Sequence, residues 1–330
     1  MTITVLIPDG DVRKLFITPE VTRVLEGMGT LKWNDGDYEP RQMARMLEDC
    51  DVCITGWGCP TLDEAILVSA KSLRLVVHTG GTVSNLVSDF MYDRGIRIVS
   101  ANEIFAESVA EATIAYMFTA LRRIPYYNSV VQDGKWKTMF SLNSGLLGKK
   151  VGLVGFGAIA RHLVPMLRPF RVSVEVYDPF VDDATFTEYG VTRVNSLEAL
   201  FSGNDIISVH AAQVPETYRI INRDMLSRLK DGGLIVNTAR GSIIDEDVLA
   251  EELASGRISA ILDVFDEEPL PADSKLRGMD NALLLPHMAG PTTDQYAKVC
   301  IGLAEEIRRF ISGQPLKYEI SREYASKMTK

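Results

Sequence analysis

Val151-Gly152-Leu153-Val154-Gly155-Phe156-Gly157-Ala158-Ile159-Ala160 is the stretch that decides the fold. Four apolar residues read as a strand and run into a Gly-x-Gly-x-x-Ala turn. Helix-compatible sequence follows, then a second apolar run, Val172 to Tyr177, that ends on Asp178. Strand, glycine turn, helix, strand and acid is the order a dinucleotide requires. Gly155 allows the tight turn, Gly157 lets the backbone approach a pyrophosphate, and Ala160 lets the helix pack closely on the strand. The N–H groups at the helix start face the phosphate charge. Asp178, about 20 residues beyond the glycines, is placed to hydrogen-bond a ribose 2′-hydroxyl. Its charge would repel a 2′-phosphate, and no Arg follows in Asp178-Pro179-Phe180-Val181, which favours NAD over NADP. A glycine pair alone marks ordinary turns too; the flanking strands and the acid give the motif its specificity.

Downstream of this unit the pattern repeats. Asp205–His210, Gly233–Asn237, Ser259–Leu262 and Leu283–Leu285 read as strands, and a helix is expected over about Thr292 to Ile311. Upstream, strands are expected at Ile3–Ile7, Asp51–Thr55, Leu73–Val77 and Arg97–Val99. Helical patterns lie between them near Arg41–Glu48, Thr61–Ala70 and Leu86–Arg94. A long helix is expected over about Phe105 to Val131, with Pro125 expected to kink or interrupt it. Alternation of this kind predicts parallel sheets flanked by helices. The expectation is α/β: two doubly wound parallel-sheet domains, a Rossmann NAD-binding domain and a flavodoxin-like substrate domain, with a cleft between them.

The totals fit this reading. The chain has 330 residues, enough for two domains, with 46% hydrophobic and 24% charged residues. A net charge of −9 argues against nucleic acid or an anionic membrane as partner. Met1-Thr2-Ile3-Thr4 leads straight into a strand-like run, so no signal peptide is expected, and no apolar run approaches the roughly 20 residues that span a bilayer. Four cysteines in this length point to a reducing cytoplasm. Cys50 and Cys53 have C-x-x-C spacing but sit at a buried-strand pattern with no second ligand pair, so no metal is expected. Beyond Ile311 the chain offers little length for an appended regulatory domain.

With a dinucleotide present, the protein must hold a substrate, exchange a proton and stabilise an oxygen. Candidates belong on loops after strands. Arg240 follows Leu234–Val236 in Asn237-Thr238-Ala239-Arg240-Gly241, and a guanidinium fork can clamp a carboxylate. Taken alone it would pass for a surface arginine. Glu268 follows Ser259–Leu262 in a segment acidic enough to be a solvated turn. His287, in Leu285-Pro286-His287-Met288-Ala289-Gly290, ends another strand. A carboxylate beside such a histidine favours the imidazolium and makes a general acid/base. Three such groups at successive strand ends are harder to dismiss than any one. His210 ends a strand in the cofactor half. His78 precedes Thr79-Gly80-Gly81-Thr82, whose backbone N–H groups can hold a carboxylate. Trp57, in Gly56-Trp57-Gly58, suits core or lid packing as well as it suits a substrate contact.

These motifs together resemble the D-isomer-specific 2-hydroxyacid dehydrogenase family. The resemblance is dense from about Ala101 to Gly290. It rests on Ser108-Val109-Ala110-Glu111, the Gly155–Ala160 fingerprint, Val214-Pro215-Glu216-Thr217, Asn237-Thr238-Ala239-Arg240-Gly241, Asp245-Glu246, Asp263-Val264-Phe265 with Glu268-Pro269, and Pro286-His287-Met288-Ala289-Gly290. It implies a homodimer formed through the NAD-binding domain, with the long helix and the arm that includes Trp136. It implies a discontinuous substrate domain, so the expected division is 1–101 and 292–330 for substrate and 102–291 for NAD. Arg240 would bind the substrate carboxylate and 2-oxo oxygen, with Gly80 and Gly81 as further substrate contacts. His287 would be the general acid/base and Glu268 its hydrogen-bonded partner. Asp263 would hold the nicotinamide carboxamide. Gly155, Gly157, Ala158 and Ile159 would meet the pyrophosphate and Asp178 the ribose, while His210, Ala211, Thr238, Ala239 and Gly290 would line the cofactor.

The chain departs from the family where Ala158 replaces a frequent Arg, Ala211-Ala212 a frequent Thr-Pro or Leu-Pro, and Ser84 a common Asp. The implied reaction is NAD-dependent interconversion of a 2-oxo acid and a D-2-hydroxy acid. A rival is an NAD-sensing binding protein like the C-terminal-binding-protein corepressors, disfavoured by the lack of a long disordered tail. Formate dehydrogenases of this scaffold usually carry Gln where Glu268 stands.

Overall fold

The computed structural model describes residues 1–139 and 143–329. It divides into two compact units, Met1–Phe105 with Pro291–Lys330, and Ala106–Gly290. The first unit carries five parallel strands, β1 (Thr2–Val5), β2 (Thr30–Trp33), β3 (Val52–Thr55), β4 (Leu75–His78) and β5 (Arg97–Ser100), in the order β2-β1-β3-β4-β5. This is the flavodoxin-like order. Its central strands are apolar on both faces: in β4, Leu75 and Val77 pack into one buried cluster and Val76 into another. A parallel sheet covered by helices on both sides requires that pattern.

The second unit carries β6 (Lys150–Val154), β7 (Ser173–Tyr177), β8 (Thr192–Arg193), β9 (Ile206–Val209), β10 (Leu234–Asn237), β11 (Ser259–Leu262) and β12 (Ala282–Leu284). All pair in parallel, in the order β12-β11-β10-β9-β6-β7-β8. That is the Rossmann order with one further strand at the β12 edge, and the direction of winding reverses between β6 and β9. Val151, Leu153 and Val236 face one core and Val154, Val209 and Ile235 the other. The two-domain doubly wound fold read from the sequence is therefore present.

Several elements went unread in the sequence, edge strands and short helices among them. β2 and β8 lie at sheet edges, are short, and bury none of their residues, so they carry no apolar run to find. Helices Asp11–Phe16 and Pro19–Glu26 are brief amphipathic pieces. The long helix is interrupted, as expected near Pro125, though the break falls just before that residue. Helix Asn102–Leu121 stops before Arg123, which adopts a left-handed φ of 51°, and a new helix, Ile124–Gln132, begins there. Pro125 sits in the first turn of that second helix, where a missing N–H costs nothing. Helix Asn102–Leu121 is long and apolar enough to cross a membrane by length and composition alone. Glu103, Glu107 and Glu111 hid this in the sequence. Its buried positions Ala110, Met117 and Leu121 pack into the β6 core.

Candidate active site

At the reversal point between β6 and β9 the chain is shaped for a close-lying ligand. Gly155 has φ +93°, and a Cβ there would lie 2.7 Å from the Ala211 nitrogen, so only glycine fits. Space opens around Gly157, where nothing lies within 4 Å of a Cβ position. Gly157 precedes helix Ala158–Leu167, whose first turn has no side-chain cap. Its leading N–H groups are thus available to an anion. Asp178, at the end of β7, accepts the Phe156 N–H at 2.8 Å through Oδ2 and the Phe180 N–H at 2.9 Å through Oδ1. A carboxylate has about four acceptor positions, which leaves two for ribose hydroxyls. At the end of β9, His210 is buried. Its Nε2 lies 2.9 Å from Ser208 Oγ, and its Nδ1 finds no partner among the described residues. Burial pushes its pKa down to about 4. A glycine cradle, an uncapped helix start, a fixed carboxylate and an orphaned buried nitrogen fit a dinucleotide.

The neighbouring strand ends carry the chemistry. After β10, Asn237 builds the turn: its Nδ2 donates to the Arg240 carbonyl at 2.9 Å and its Oδ1 accepts the Ala239 N–H at 3.0 Å. Thr238 Oγ1 lies 3.3 Å from Thr113 Oγ1 of the long helix. Arg240 is only partly exposed, and its Nη1 donates to the Ala239 carbonyl at 2.6 Å. Burial draws its pKa down while the charge of Glu268 raises it, so the two groups feel each other. After β11, Glu268 Oε1 accepts the Phe265 N–H at 3.0 Å. Its Oε2 lies 2.7 Å from His287 Nδ1. One carboxylate therefore spans two jobs, bracing its own loop and fixing the imidazole. His287 Nε2 points away from that carboxylate by the geometry of the ring.

The loop after β12 is held from below. His287 has φ 50°, an uncommon conformation for a non-glycine residue. Its N–H donates to the Asp263 carbonyl at 2.9 Å. The Asp263 side chain is fully buried and accepts Met288 N–H through Oδ1 and Ala289 N–H through Oδ2, both at 2.9 Å. Tyr116 Oη donates to Oδ1 at 3.3 Å. Burial, then the charge of Asp263, raises the Tyr116 pKa, so the hydroxyl stays a donor. No motif marks Tyr116 as part of this network: an apolar helix face is where a tyrosine passes for core.

The first unit holds the other predicted residues. His78 is buried, with Nδ1 2.9 Å from Thr55 Oγ1, and burial alone pushes its pKa down to about 4. It is a neutral imidazole at pH 7. Trp57 packs edge-on against Phe16, Phe105 and Tyr296 and is 43% exposed. Gly80 is buried and Gly81 partly so, and neither N–H finds an acceptor among the described residues. Cys50 and Cys53 are buried free thiols whose pKa values burial pushes up, that of Cys50 to about 11.

Comparison with known proteins agrees with this architecture. The family model described as "D-isomer specific 2-hydroxyacid dehydrogenase, NAD binding domain" matches residues 114–289. A hydroxypyruvate reductase of Thermotoga maritima is 32% identical over 292 residues, covering 87% of this chain and 94% of that protein. A D-3-phosphoglycerate dehydrogenase of Archaeoglobus fulgidus is 32% identical over 261 residues, covering 79% of this chain. The chain spans about half the length of that and several other curated relatives it matches. A phosphoglycerate oxidoreductase from Rhizobium etli superposes with a TM-score of 0.83 at 24% identity, over 98% of this chain and 99% of that one, which speaks to the fold. The β6 cradle and the strand-end loops bearing Arg240, Glu268 and His287 all lie within the matched region, and on that match the chain belongs to the D-isomer-specific 2-hydroxyacid dehydrogenase family.

Proposed function

We propose that this chain is an NAD-dependent oxidoreductase that interconverts a 2-oxo acid and a D-2-hydroxy acid. The observation that carries the reading is the 2.7 Å pairing of His287 Nδ1 with Glu268 Oε2, on the loops that follow β11 and β12, the strands that extend the sheet from β10, which leads to Arg240. Bound NAD would supply the hydride donor or acceptor. Arg240 binds the substrate carboxylate and polarises the 2-oxo oxygen with its second guanidinium edge. Glu268 keeps Nδ1 protonated and the ring oriented, so that Nε2 gives the proton to the substrate oxygen on reduction and takes it back on oxidation. The unpaired N–H groups of Gly80 and Gly81 support a role as further carboxylate contacts. Gly155, Gly157, Ala158 and Ile159 would meet the pyrophosphate, Asp178 the ribose, and His210, Ala211, Thr238, Ala239 and Gly290 the rest of the cofactor. Asp263, already holding three donors, keeps an acceptor position for the nicotinamide carboxamide.

The two relatives described above are named as a hydroxypyruvate reductase and a D-3-phosphoglycerate dehydrogenase, which supports an enzyme over a corepressor-like binding protein. Exposed Ile124, Val131, Trp136 and Met139 support pairing of two copies through the NAD-binding domain. Four free cysteines fit a reducing cytoplasm. The deciding assay is NADH oxidation with glyoxylate, hydroxypyruvate, pyruvate and longer 2-oxo acids, followed by chiral analysis of the product. Turnover to the D-hydroxy acid is expected. Protein that binds NADH yet reduces none of them would overturn the reading.

A further inference from the structure

Within the first unit, the loop that follows β4 is tied down by a segment distant in sequence. Residues 318–320 run antiparallel along edge strand β5, with Val99 bridged to Glu319. The Ile320 N–H donates to the Ile98 carbonyl at 2.9 Å, and Arg97 grips Glu319 through Nε at 2.7 Å and Nη2 at 2.5 Å. A short helix, Arg322–Lys327, is capped by Ser321 Oγ, and Arg322 pairs with Asp93. Ile320, Ala325 and Met328 are buried in the same core as Val83. The segment then places the Thr329 carbonyl against the loop. Thr82 Oγ1 donates to it at 2.6 Å and Ser84 Oγ at 2.5 Å.

We propose that Thr82 and Ser84 are positioning residues, which latch the Gly80–Ser84 loop to the 318–329 segment and so hold the Gly80 and Gly81 N–H groups ready for the substrate carboxylate. The loop is gripped from both sides. His78 and Trp57 pack directly under Gly80, and the Gly80 carbonyl accepts the Ala101 N–H at 3.0 Å. Those contacts fix where the loop starts. The paired hydroxyls fix where it returns, and only donors serve there, because the partner is a carbonyl oxygen. A carboxylate at position 84 would repel the Thr329 carbonyl. Two backbone N–H groups presented to an anion bind well only if they need not be reorganised on binding, which is what a latch supplies.

This inference rests on the proposed activity, so its test has two readouts. In Thr82→Ala/Ser84→Ala, amide hydrogen exchange of residues 80–84 and 322–328 is expected to quicken by about tenfold or more. KM for the 2-oxo acid should rise by about tenfold, with kcat changed less than about twofold and NADH affinity unaltered. Thr82→Ser, which keeps the hydroxyl, should behave as the parent. Ser84→Ala alone serves if the double variant does not fold. Unchanged exchange, or faster exchange with KM unmoved, overturns the latch. If the parent reduces no 2-oxo acid at all, the proposed activity fails, and exchange alone then decides whether the latch exists.

Discussion

At the scale of single residues, the site depends on a few carboxylates that each serve more than one donor. Glu268 accepts both Phe265 N–H and the His287 side chain. With Gln in its place, the amide oxygen can keep the Phe265 N–H, but the N–H₂ then faces Nδ1 and can donate only to an unprotonated nitrogen, so the imidazolium loses its acceptor. Glu268→Gln should lower kcat/KM by about tenfold or more, and His287→Ala by roughly 10²–10⁴-fold if it is the proton donor. Steady-state kinetics with NADH and the best 2-oxo acid checks both, and unchanged turnover in His287→Ala removes its assigned role. Asp263 is the second case. It is buried and charged, with Met288 N–H, Ala289 N–H and Tyr116 Oη as donors. Asp263→Asn would aim an amide N–H₂ at one of those backbone donors and should cost about 3 kcal/mol, whereas Tyr116→Phe removes only the outer donor and should cost about 1 kcal/mol. Denaturant unfolding measures both, and equal losses would contradict the ranking.

At the scale of elements, the loops after β10 and β11 are interlocked rather than merely adjacent. A Cβ on Gly241 would lie 1.9 Å from the Phe265 carbonyl carbon and 2.2 Å from the Asp266 nitrogen. Backbone here meets backbone, and neither can yield. Glu246, in the helix that follows Gly241, reinforces the contact by accepting the Asp266 N–H at 2.6 Å. Burial raises the Glu246 pKa. Gly241→Ala should therefore push the Arg240 turn away from the Glu268 turn. A drop in kcat/KM of more than about 100-fold is expected, together with a clear loss of thermal stability. A variant with native Tm and native kinetics would show that the loops are not coupled in this way. The sequence made β6, the glycine turn, Asp178 and the strands carrying Arg240 and Glu268 legible, because each combines an apolar run with a residue whose chemistry is unusual at a strand end. It could not make Tyr116 legible, since its link to Asp263 joins positions 147 apart. Nor could it show that Gly241 is packed against Phe265. Edge strand β2 stayed hidden for a different reason: a half-exposed strand with mixed residues has no periodic signature to read.

At the scale of the whole molecule, each unit buries one neutral histidine at a strand end, His78 as the last residue of β4 and His210 just after β9. Burial is the sole cause of either shift, and both fall from 6.5 to about 4. The unfolded chain thus binds protons at these positions between about pH 6.5 and 4 while the folded chain does not. Stability must rise with pH across that window and stop depending on these groups above it. Each shift corresponds to about 3 kcal/mol lost when the pH falls below both values. Acid should therefore weaken both units at a pH where most surface carboxylates are still charged. Replacing either histidine with Gln removes one titrating group. It should cost stability at pH 7, because a buried ring and its hydroxyl partner are lost, yet flatten the decline between pH 6.5 and 4.5. Urea midpoints measured at several pH values, in the parent and in His78→Gln and His210→Gln, separate the two effects. If both variants lose stability with acid as steeply as the parent, protonation of these imidazoles is not what limits the fold at low pH.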